Sequence, residues 1–317
     1  MAGKIDMILL SVIVPAYNNE NDISIILDAF SKQTLDADQV EYIIVNNNSK
    51  DNTKGVVNEY AKQLPITVRC VDENNIQSSY AARNAGIRAA KGNILLFTDS
   101  DCVPEPEWAA RMLDAFDRPE IGIVGGAIQA SHGDSLVERF SSEANVLSQE
   151  HSLKNPYLPF FQTANVAYRR EAFQKAGLFR SRLKTGGDAD MCWRVQKSTD
   201  FELRYCAEAK VLHRHRTTLA GLNEQFSRYG RSSVYLNRLY GTEIQQEPRT
   251  QYFIRKGVSW AFLHLPITLT KRLAGQATNI DLFREPLRLY IRWCRKTGIS
   301  SAETAGLPKE LDIEYLG

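Results

Sequence analysis

The stretch GNILLFTDSDCVPEPEW (92–108) places two carboxylates directly after an apolar run. The run 94–97 has the character of a strand buried on both faces, and Asp99 and Asp101 follow it two positions apart. Two carboxylates at this spacing repel each other unless a cation or tight solvation holds them. The pattern therefore indicates either a divalent-cation site or a solvated turn that caps the next helix.

A second acidic cluster, TGGDADMCWR (185–194), places Asp188 and Asp190 at the start of a predicted helix, after Gly186 and Gly187. Acidic residues in the first turn stabilise a helix by about 0.3–1 kcal/mol, which is one interpretation. The other is a general base at the mouth of a site, beside a glycine loop that can move.

Polar residues also follow the first and second predicted strands. The motif VIVPAYNNE ends a strand at Pro15 and leaves Ala16 and Tyr17 at its carboxyl end, and IIVNNNSKDNT places Asn46 and Asn48 after the next strand. Asparagine side chains donate and accept hydrogen bonds at once, which suits recognition of the edge of a base. An Asn-rich turn that leads into a helix cap is the alternative.

Arg83, in SSYAARNAGIRAAKGN, is predicted to lie on a helix that points towards the same edge. A guanidinium at that place is suited to a diphosphate. Because Asp99 and Asp101 would repel a diphosphate, a bridging divalent cation is expected. Mg²⁺ or Mn²⁺ fits this role, with oxygen ligands at roughly 2.0–2.2 Å.

Strand and helix patterns alternate through the first half of the chain and must position these side chains. Buried strands are predicted over 7–15, 41–45, 66–71, 94–98 and 121–128, and helices over 21–33, 50–64, 77–90 and 105–116. Repeated strand–helix–strand units predict an α/β fold with a doubly wound, mostly parallel sheet. Ligands bind beyond the carboxyl ends of such strands, which favours the cation-site interpretation of Asp99 and Asp101.

The middle of the chain, 131–216, is less regular. Its patterns predict helices over 136–149, 171–176 and 188–197, a strand over 163–168, and short strands around Leu203 and Val211.

Composition is that of a soluble globular protein. The 317 residues are 43% hydrophobic and 24% charged, enough for one large domain or two modest ones. The five cysteines are odd in number and show no paired spacing, which favours reduced thiols in a cytosolic setting and argues against a disulfide framework or a zinc site. We see no secretory signal and no apolar run of about 18 residues, so a membrane-spanning helix is not expected.

The C-terminal part is strongly basic. Over 249–296 there are ten Lys or Arg and two acidic residues, so this segment carries +8 while the whole chain carries +2. The helix predicted over 281–296 has one apolar face, formed by Phe283, Leu287, Tyr290, Ile291 and Cys294, and a basic face formed by Arg284, Arg288, Arg292 and Arg295. It fits an interfacial contact with anionic membrane, or packing on the rest of the protein. Nothing resembles a nucleic-acid recognition module.

Six motifs occur in the order seen in the family 2 glycosyltransferases of the GT-A fold: VIVPAYNN, NNNSKDNT, ARNAG, TDSD, TANVAYRREAF and GGDADMCWR. The chain resembles that family over roughly 8–235. The resemblance implies a Rossmann-like GT-A fold and an inverting transfer of a sugar from a nucleotide-diphosphate donor, with a UDP-sugar favoured, to an acceptor hydroxyl.

The resemblance also implies roles for individual residues. Asp99 and Asp101 would bind Mg²⁺ or Mn²⁺, Asp188 would be the general base, and Asp190 and Arg194 would support it. The nucleotide would contact Pro15, Ala16, Tyr17, Asn46, Asn48 and Arg83.

This sequence departs from the family pattern at one position. Asn46 stands where the family usually has an Asp that often contacts the base, which leaves the identity of the base open. His213 in VLHRHR is a further candidate metal ligand or a packing residue. Asn165 and Gly187 are candidates for contact with the acceptor or the donor sugar. A residue that bonds to backbone in a turn is the alternative for Asn165.

The expected organisation is a GT-A domain over 1–240, with a nucleotide-binding half (1–130) and an acceptor half (131–240), followed by a basic amphipathic helical extension over 241–317. The acceptor is expected to be lipid-linked or a polysaccharide, and the location cytoplasmic, peripheral on the inner membrane face. Two other functions are possible for such a sequence. A sugar-nucleotide pyrophosphorylase should have a glycine-rich, lysine-bearing loop after the first strand, which PAYNNEND lacks, and a non-catalytic relative should have lost the acidic residues, which are present.

Overall fold

The computed structural model describes residues 8–131, 133–243, 248–305 and 313–316. Met7, where the first predicted strand begins, and parts of the predicted extension lie outside the described residues. The chain forms two compact units. Unit 1 comprises the chain up to Gln129, residues 147–213 and the end of the chain, and unit 2 comprises Ala130–Val146 and the residues that follow His213 up to the last few.

Unit 1 is built on one sheet of eight strands. They are β1 (Leu10–Ala16), β2 (Val40–Asn46), β3 (Thr67–Asp72), β4 (Ile94–Thr98), β5 (Cys102–Pro104), β6 (Ile121–Ala130), β7 (Asn165–Arg169) and β8 (Glu202–His213). Their order across the sheet is β3-β2-β1-β4-β7-β6-β8-β5.

The described helices, in chain order, are α1 (Ile23–Ser31), α2 (Thr53–Ala61), α3 (Ser79–Ala89), α4 (Trp108–Asp114), α5 (Leu136–Glu143), α6 (Gln149–Leu153), α7 (Arg170–Ala176), α8 (Gly187–Ser198), α9 (Leu219–Tyr240), α10 (Thr250–Ser259), α11 (Leu265–Leu273) and α12 (Asn279–Ala305). A π-helical turn, Trp260–His264, joins α10 to α11. Within the described residues, no helix is long and apolar enough to cross a membrane.

The predicted fold class is confirmed. Strands β3, β2, β1 and β4 are parallel, β7 is antiparallel to β4, and β6 is antiparallel to β7, so that β6 runs in the same direction as the first four. Every residue of β1, β2 and β4 is buried, as continuous apolar strands between two helical layers must be. The sheet is thus a doubly wound, mostly parallel one with antiparallel strands inserted after β4.

Two local predictions were wrong. The helix expected over 136–149 is interrupted between α5 and α6, because Asn145 and Leu147 have positive φ angles of 48° and 74°, which no right-handed helix accommodates. The short strands expected around Leu203 and Val211 form the single strand β8. The three-residue strand β5, which pairs with the end of β8, was not predicted.

Unit 2 is helical, and its core lies between α9 and α12. Leu222 and Phe226 of α9 pack with Cys294 of α12 and with Val137 of α5. Close approach of the two long helices depends on Gly298, where an added Cβ would lie 2.1 Å from the Ser227 carbonyl oxygen. Most of the apolar face predicted for 281–296 is therefore covered within unit 2. Leu287 and Cys294 are buried, whereas Phe283 is 45% exposed.

Candidate active site

The carboxyl ends of β1, β2 and β4 form one edge of the sheet in unit 1. Ala16 at the end of β1 pairs with Asn46 at the end of β2, and β4 lies on the other side of β1. The loops that leave this edge contact one another: the Asn18 amide donates to Ser49 Oγ over 3.1 Å. The polar clusters predicted from the sequence are thereby brought together.

Asp101 lies beside His213 in this edge. His213 ends β8 and pairs with Cys102 of β5, which directs its Nε2 to within 3.6 Å of Asp101 Oδ1. The potential ligand atoms of Asp101, Cys102 and His213 lie within 4.8 Å of one another. Burial and the nearby carboxylates raise the pKa of the Cys102 thiol well above its usual value, which disfavours the thiolate that a metal would need. The carboxylate and imidazole are thus the donors suited to a divalent cation.

Asp99 is paired with Arg83, which comes from α3. Arg83 Nη2 lies 2.5 Å from Asp99 Oδ1, and the Arg83 side chain is buried. Burial raises the pKa of Asp99 above its ordinary value; the charges of Asp101 and Asp188 act in the same direction, while Arg83 and His213 oppose them. Arg83 therefore lies at the predicted edge, and its guanidinium offsets part of the charge of the acidic pair.

Asp188 begins α8 and its carboxylate is held from two sides. Gly186, with a φ of 82°, turns the chain into the helix. Asp188 Oδ1 accepts a short hydrogen bond from the Tyr80 hydroxyl, and Oδ2 accepts one from the Thr163 amide over 3.3 Å. The side chain remains partly exposed. Asp188 is thus a fixed carboxylate that solvent or a ligand can reach.

Asp190 differs from Asp188 in being fully buried. Its two oxygens form ion pairs with Arg180 Nε at 3.0 Å and Arg194 Nε at 3.1 Å. Arg194 also donates to the Leu178 carbonyl oxygen over 2.8 Å. Asp190 and Arg194 therefore tie α8 to the loop before it and offer no surface to a ligand.

Tyr80 is a site residue that the sequence interpretation missed. It lies on α3, one turn before Arg83, and its buried ring stacks on Phe179 with centroids 5.6 Å apart. Its hydroxyl donates to Asp188 and accepts from the Gly187 amide over 3.0 Å. Burial and the Asp188 charge raise its pKa well above the ordinary value of 10.0, so the hydroxyl keeps its proton. Its partner Asp188 is distant in the chain, so no local sequence signal pointed to it.

Gly187 packs on the same ring. A Cβ at Gly187 would lie 2.7 Å from the Tyr80 ring carbon that carries the hydroxyl, so a larger residue would displace the tyrosine. Gly187 is itself buried. Its direct role here is to leave room for Tyr80 at the start of α8.

The residues expected to hold the nucleoside differ in exposure. Pro15 and Ala16 are buried in β1, whereas Tyr17 is 48% exposed. Asn46 is buried and its Nδ2 donates to Asp72 Oδ1 over 3.0 Å. Asn48 is exposed with a φ of 61°. Tyr17 and Asn48 are thus the members of this set that are open to solvent.

Asp72 ends β3 next to Asn46 and was not predicted as a site residue. The hydrogen bond from Asn46 and the one from Lys54 lower its pKa. The ionised carboxylate of Asp72 therefore lies beside Asn46. Asn46 itself occupies the position at which the family pattern usually has an Asp.

Asn165 lies inside the sheet. Its Oδ1 accepts from Trp108 Nε1 over 2.8 Å, and its Nδ2 donates to the carbonyl oxygens of Ala127 and Ala209 over 2.8 and 2.9 Å. The side chain is fully buried. These contacts are those of an amide that bonds to backbone and holds β7 to its neighbours.

Solved glycosyltransferases share this fold. The mannosyltransferase PcManGT of Pyrobaculum calidifontis, solved with GDP-Man and Mn²⁺, aligns with a TM-score of 0.56 and 18% identity over 94% of this chain and 76% of its own. Glucosyl-3-phosphoglycerate synthase of Mycobacterium tuberculosis, solved with Mn²⁺, UDP-glucose and phosphoglyceric acid, aligns with a TM-score of 0.56 and 17% identity over 77% of this chain and 84% of its own. The fold is therefore GT-A, as predicted.

Sequence comparison agrees with the fold. Glycosyltransferase AglE of Haloferax volcanii is 28% identical over 304 residues, which is 94% of each chain. The model of the family described as glycosyl transferase family 2 matches residues 11–177, more than half of the chain. The chain therefore belongs to glycosyl transferase family 2, and it is an enzyme that transfers sugars.

Proposed function

We propose that this enzyme transfers a sugar from a nucleotide-diphosphate donor, preferably a UDP-sugar, to a hydroxyl group with inversion of the anomeric configuration. The observation that carries the proposal is the contrast between two carboxylates of one helix. Asp188 is partly exposed and held by Tyr80 and Thr163, whereas Asp190 is enclosed by two arginines. A carboxylate fixed in this way and open to ligand suits a general base.

A divalent cation fits the donor set beside this base. Asp101 and His213, 3.6 Å apart, supply an oxygen and a nitrogen. Asp99, whose Oδ1 is paired with Arg83, would add a second carboxylate from the same loop. Mg²⁺ and Mn²⁺ are both suited to such ligands, and the solved relatives contain Mn²⁺ together with nucleotide sugars. When bound, such an ion neutralises the negative charge that develops on the leaving diphosphate.

The nucleotide is proposed to lie along the carboxyl ends of β1 and β2. Pro15, Ala16 and Tyr17 would form one wall, and Asn46 and Asn48 the other. Arg83, held on Asp99, would add positive charge near the diphosphate. The exposure of Tyr17 and Asn48 supports this placement.

The chemical step is a single displacement. The acceptor oxygen forms a bond to the anomeric carbon from the face opposite the diphosphate, and the bond from that carbon to the diphosphate oxygen breaks with its electron pair. Asp188 takes the proton of the acceptor hydroxyl. General-base assistance of this kind contributes about 10²–10⁴-fold to the rate.

The acceptor is proposed to be lipid-linked or a polysaccharide, with the enzyme at the cytoplasmic face of an anionic membrane. The net charge of +8 over 249–296 supports attraction to an anionic surface.

The test compares wild-type protein with Asp188→Asn. Release of nucleoside diphosphate is measured with a panel of UDP- and GDP-sugars and Mn²⁺, with a lipid-linked saccharide or an oligosaccharide as the acceptor that supplies the hydroxyl. We expect Asp188→Asn to bind nucleotide normally and to lose at least about 10²-fold in transfer. Full transfer activity in the variant, or retention of the anomeric configuration in the product, would overturn the assignment.

A further inference from the structure

The segment 250–273 of unit 2, made of α10, the π-helical turn and α11, rests on α12 by one side only. The Phe253 and Trp293 rings lie edge to face, with centroids 5.4 Å apart. Trp260 Nε1 donates to the Leu282 carbonyl oxygen over 3.3 Å, at the opposite end of the contact. The aromatic residues of the segment thus fix it to α12.

The other side of the segment is apolar and open to solvent. None of the residues of α10, the π-helical turn or α11 is buried. Seven of the thirteen exposed large apolar residues found among the described residues belong to this short segment: Ile254, Val258, Phe262, Leu263, Ile267, Leu269 and Leu273. Phe262 and Leu273 are 77% and 89% exposed. Exposed apolar side chains gathered on one short segment in this way mark a site of interaction.

The charges beside this surface are of one sign. Residues 248–280 contain five basic residues, Arg249, Arg255, Lys256, Lys271 and Arg272, and no Asp or Glu. A basic protein partner is therefore disfavoured, and an anionic one is favoured. Apolar side chains flanked by cations, with no acidic residue among them, match the boundary between the acyl chains and the headgroups of an anionic bilayer.

We infer that segment 250–273 docks on the surface of an anionic lipid bilayer, with its helices lying in the interface. The inference deepens the membrane contact in the proposed function by naming the surface that makes it. It assigns the contact to α10 and α11. In the helix predicted over 281–296, Tyr290, Ile291 and Cys294 pack against α9. Because lipid binding needs no nucleotide, its failure can be distinguished from failure of the transferase assignment.

The experiment is flotation of the full-length protein with vesicles of phosphatidylcholine alone and of phosphatidylcholine mixed with phosphatidylglycerol. We expect binding to the mixed vesicles, weakened by added salt, and little binding to the neutral ones. The double variant Phe262→Ser/Leu263→Ser should reduce the bound fraction at least about tenfold, because two large apolar side chains no longer enter the interface. Lys271→Glu/Arg272→Glu should reduce binding to the mixed vesicles selectively.

Two matched controls separate this surface from general apolar or charge effects. Ile25→Ser/Leu219→Ser removes two exposed apolar residues outside the segment, and Lys154→Glu/Arg231→Glu reverses two exposed cations outside it. Both should float like the wild type. Circular dichroism and nucleotide binding confirm that each variant is folded.

Three outcomes would overturn the inference. The wild type could stay unbound with both kinds of vesicle, or the Phe262→Ser/Leu263→Ser variant could bind as well as the wild type. Analytical ultracentrifugation could also show a dimer that this variant dissociates, without vesicle binding. In that last case a second copy of the chain, not lipid, would cover the surface.

Discussion

The Tyr80 hydroxyl donates a hydrogen bond to Asp188 Oδ1, and on the next turn of the same helix Arg83 is paired with Asp99. The Arg83 guanidinium carbon lies 5.3 Å from the centre of the Tyr80 ring. Helix α3 therefore positions the proposed base and one member of the acidic pair together. A substitution of Tyr80 or Arg83 is therefore expected to alter the positions of both carboxylates, Asp188 and Asp99.

Tyr80→Phe tests the positioning of the base. The variant keeps the ring on Phe179 but leaves Asp188 without its hydroxyl donor and the buried Gly187 amide without its acceptor. Loss of a buried hydrogen-bond partner costs about 1–3 kcal/mol, so we expect kcat for transfer to fall roughly tenfold or more. The Kd of the nucleoside diphosphate should stay within about twofold, since the tyrosine acts on the base.

The matched control is Tyr60→Phe, which removes a hydroxyl that donates to Asp28 over 2.8 Å. That pair is outside the site, and transfer should be unchanged. If Tyr80→Phe raised KM and the nucleotide Kd while leaving kcat intact, Tyr80 would be a structural support of the nucleotide site and the positioning role would be rejected.

Glu41 makes the stability of unit 1 decrease as the pH falls through the acid range. Its buried carboxylate accepts hydrogen bonds from Ser11 Oγ at 2.7 Å, the Lys91 amide at 2.6 Å and Arg69 Nη2 at 2.6 Å. Burial raises the pKa of Glu41, but these hydrogen bonds and the Arg69 charge outweigh it, so the pKa lies below its ordinary value of 4.5. Since the folded state favours the ionised form, this stabilisation is present above the unfolded pKa and is lost as the pH falls through the folded pKa.

Glu41→Gln should therefore lower the free energy of unfolding at neutral pH by about 1–3 kcal/mol. Urea unfolding repeated as the pH is lowered past 4.5 should show the difference between wild type and variant shrinking. Glu59→Gln, at an exposed carboxylate, should change stability by less than about 0.5 kcal/mol throughout. A difference that stays constant through the acid range would rule out the proposed linkage.

Two glycines of unit 2 form a matched pair for the packing of its helices. An added Cβ at Gly298 would lie 2.1 Å from the Ser227 carbonyl oxygen, whereas one at Gly257 in α10 would meet no atom within 4 Å. Gly298→Ala is expected to destabilise the protein by about 1–3 kcal/mol through overpacking. Gly257→Ala is expected to stabilise it by about 0.5–1 kcal/mol through helix propensity. Thermal unfolding measures both, and equal melting temperatures for the two variants would contradict the close contact of α9 with α12.

The parallel half of the sheet could be predicted because its strands are continuous apolar runs. Strands β1, β2 and β4 are buried on both faces, and strands in that environment are composed mostly of apolar residues, which the sequence shows directly. Strand β5 has only three residues and is held by its pairing with β8. A three-residue strand is too short to show an alternating hydrophobic pattern, so it could not be predicted from its own sequence.

Candidate site residues could be predicted where a local sequence motif contains them. They could not be predicted where their role depends on a contact with a residue distant in the chain. Asp99 and Asp101 follow a predicted strand, and Asp188 lies in the first turn of a predicted helix, so the local sequence marks each of them as a candidate. Tyr80 was missed because its partner Asp188 is 108 positions away, and one tyrosine at the start of a helix carries no local signal. Its role arises from the contact between α3 and the start of α8.

The amphipathic pattern of α12 is compatible with contact with a membrane and with packing on the rest of the protein, and the sequence does not distinguish the two. An apolar stripe on a basic helix is the same whether lipid or a neighbouring helix covers it. Leu287 and Cys294 are buried, and Cys294 packs with its neighbours Tyr290 and Ile291 against α9. Phe283 of the same face is 45% exposed. The exposed apolar residues lie instead in segment 250–273, which precedes α12.

Calorimetric titration of UDP, GDP, CDP and dTDP, each with and without Mn²⁺, tests the central claim most directly. We expect one of them, with UDP favoured, to bind only in the presence of Mn²⁺, and Asp101→Ala to abolish that binding. Asp188→Asn, as the matched carboxylate variant, should bind like the wild type. Binding that is equal with and without Mn²⁺, or that survives Asp101→Ala, would contradict the proposed metal-dependent donor site.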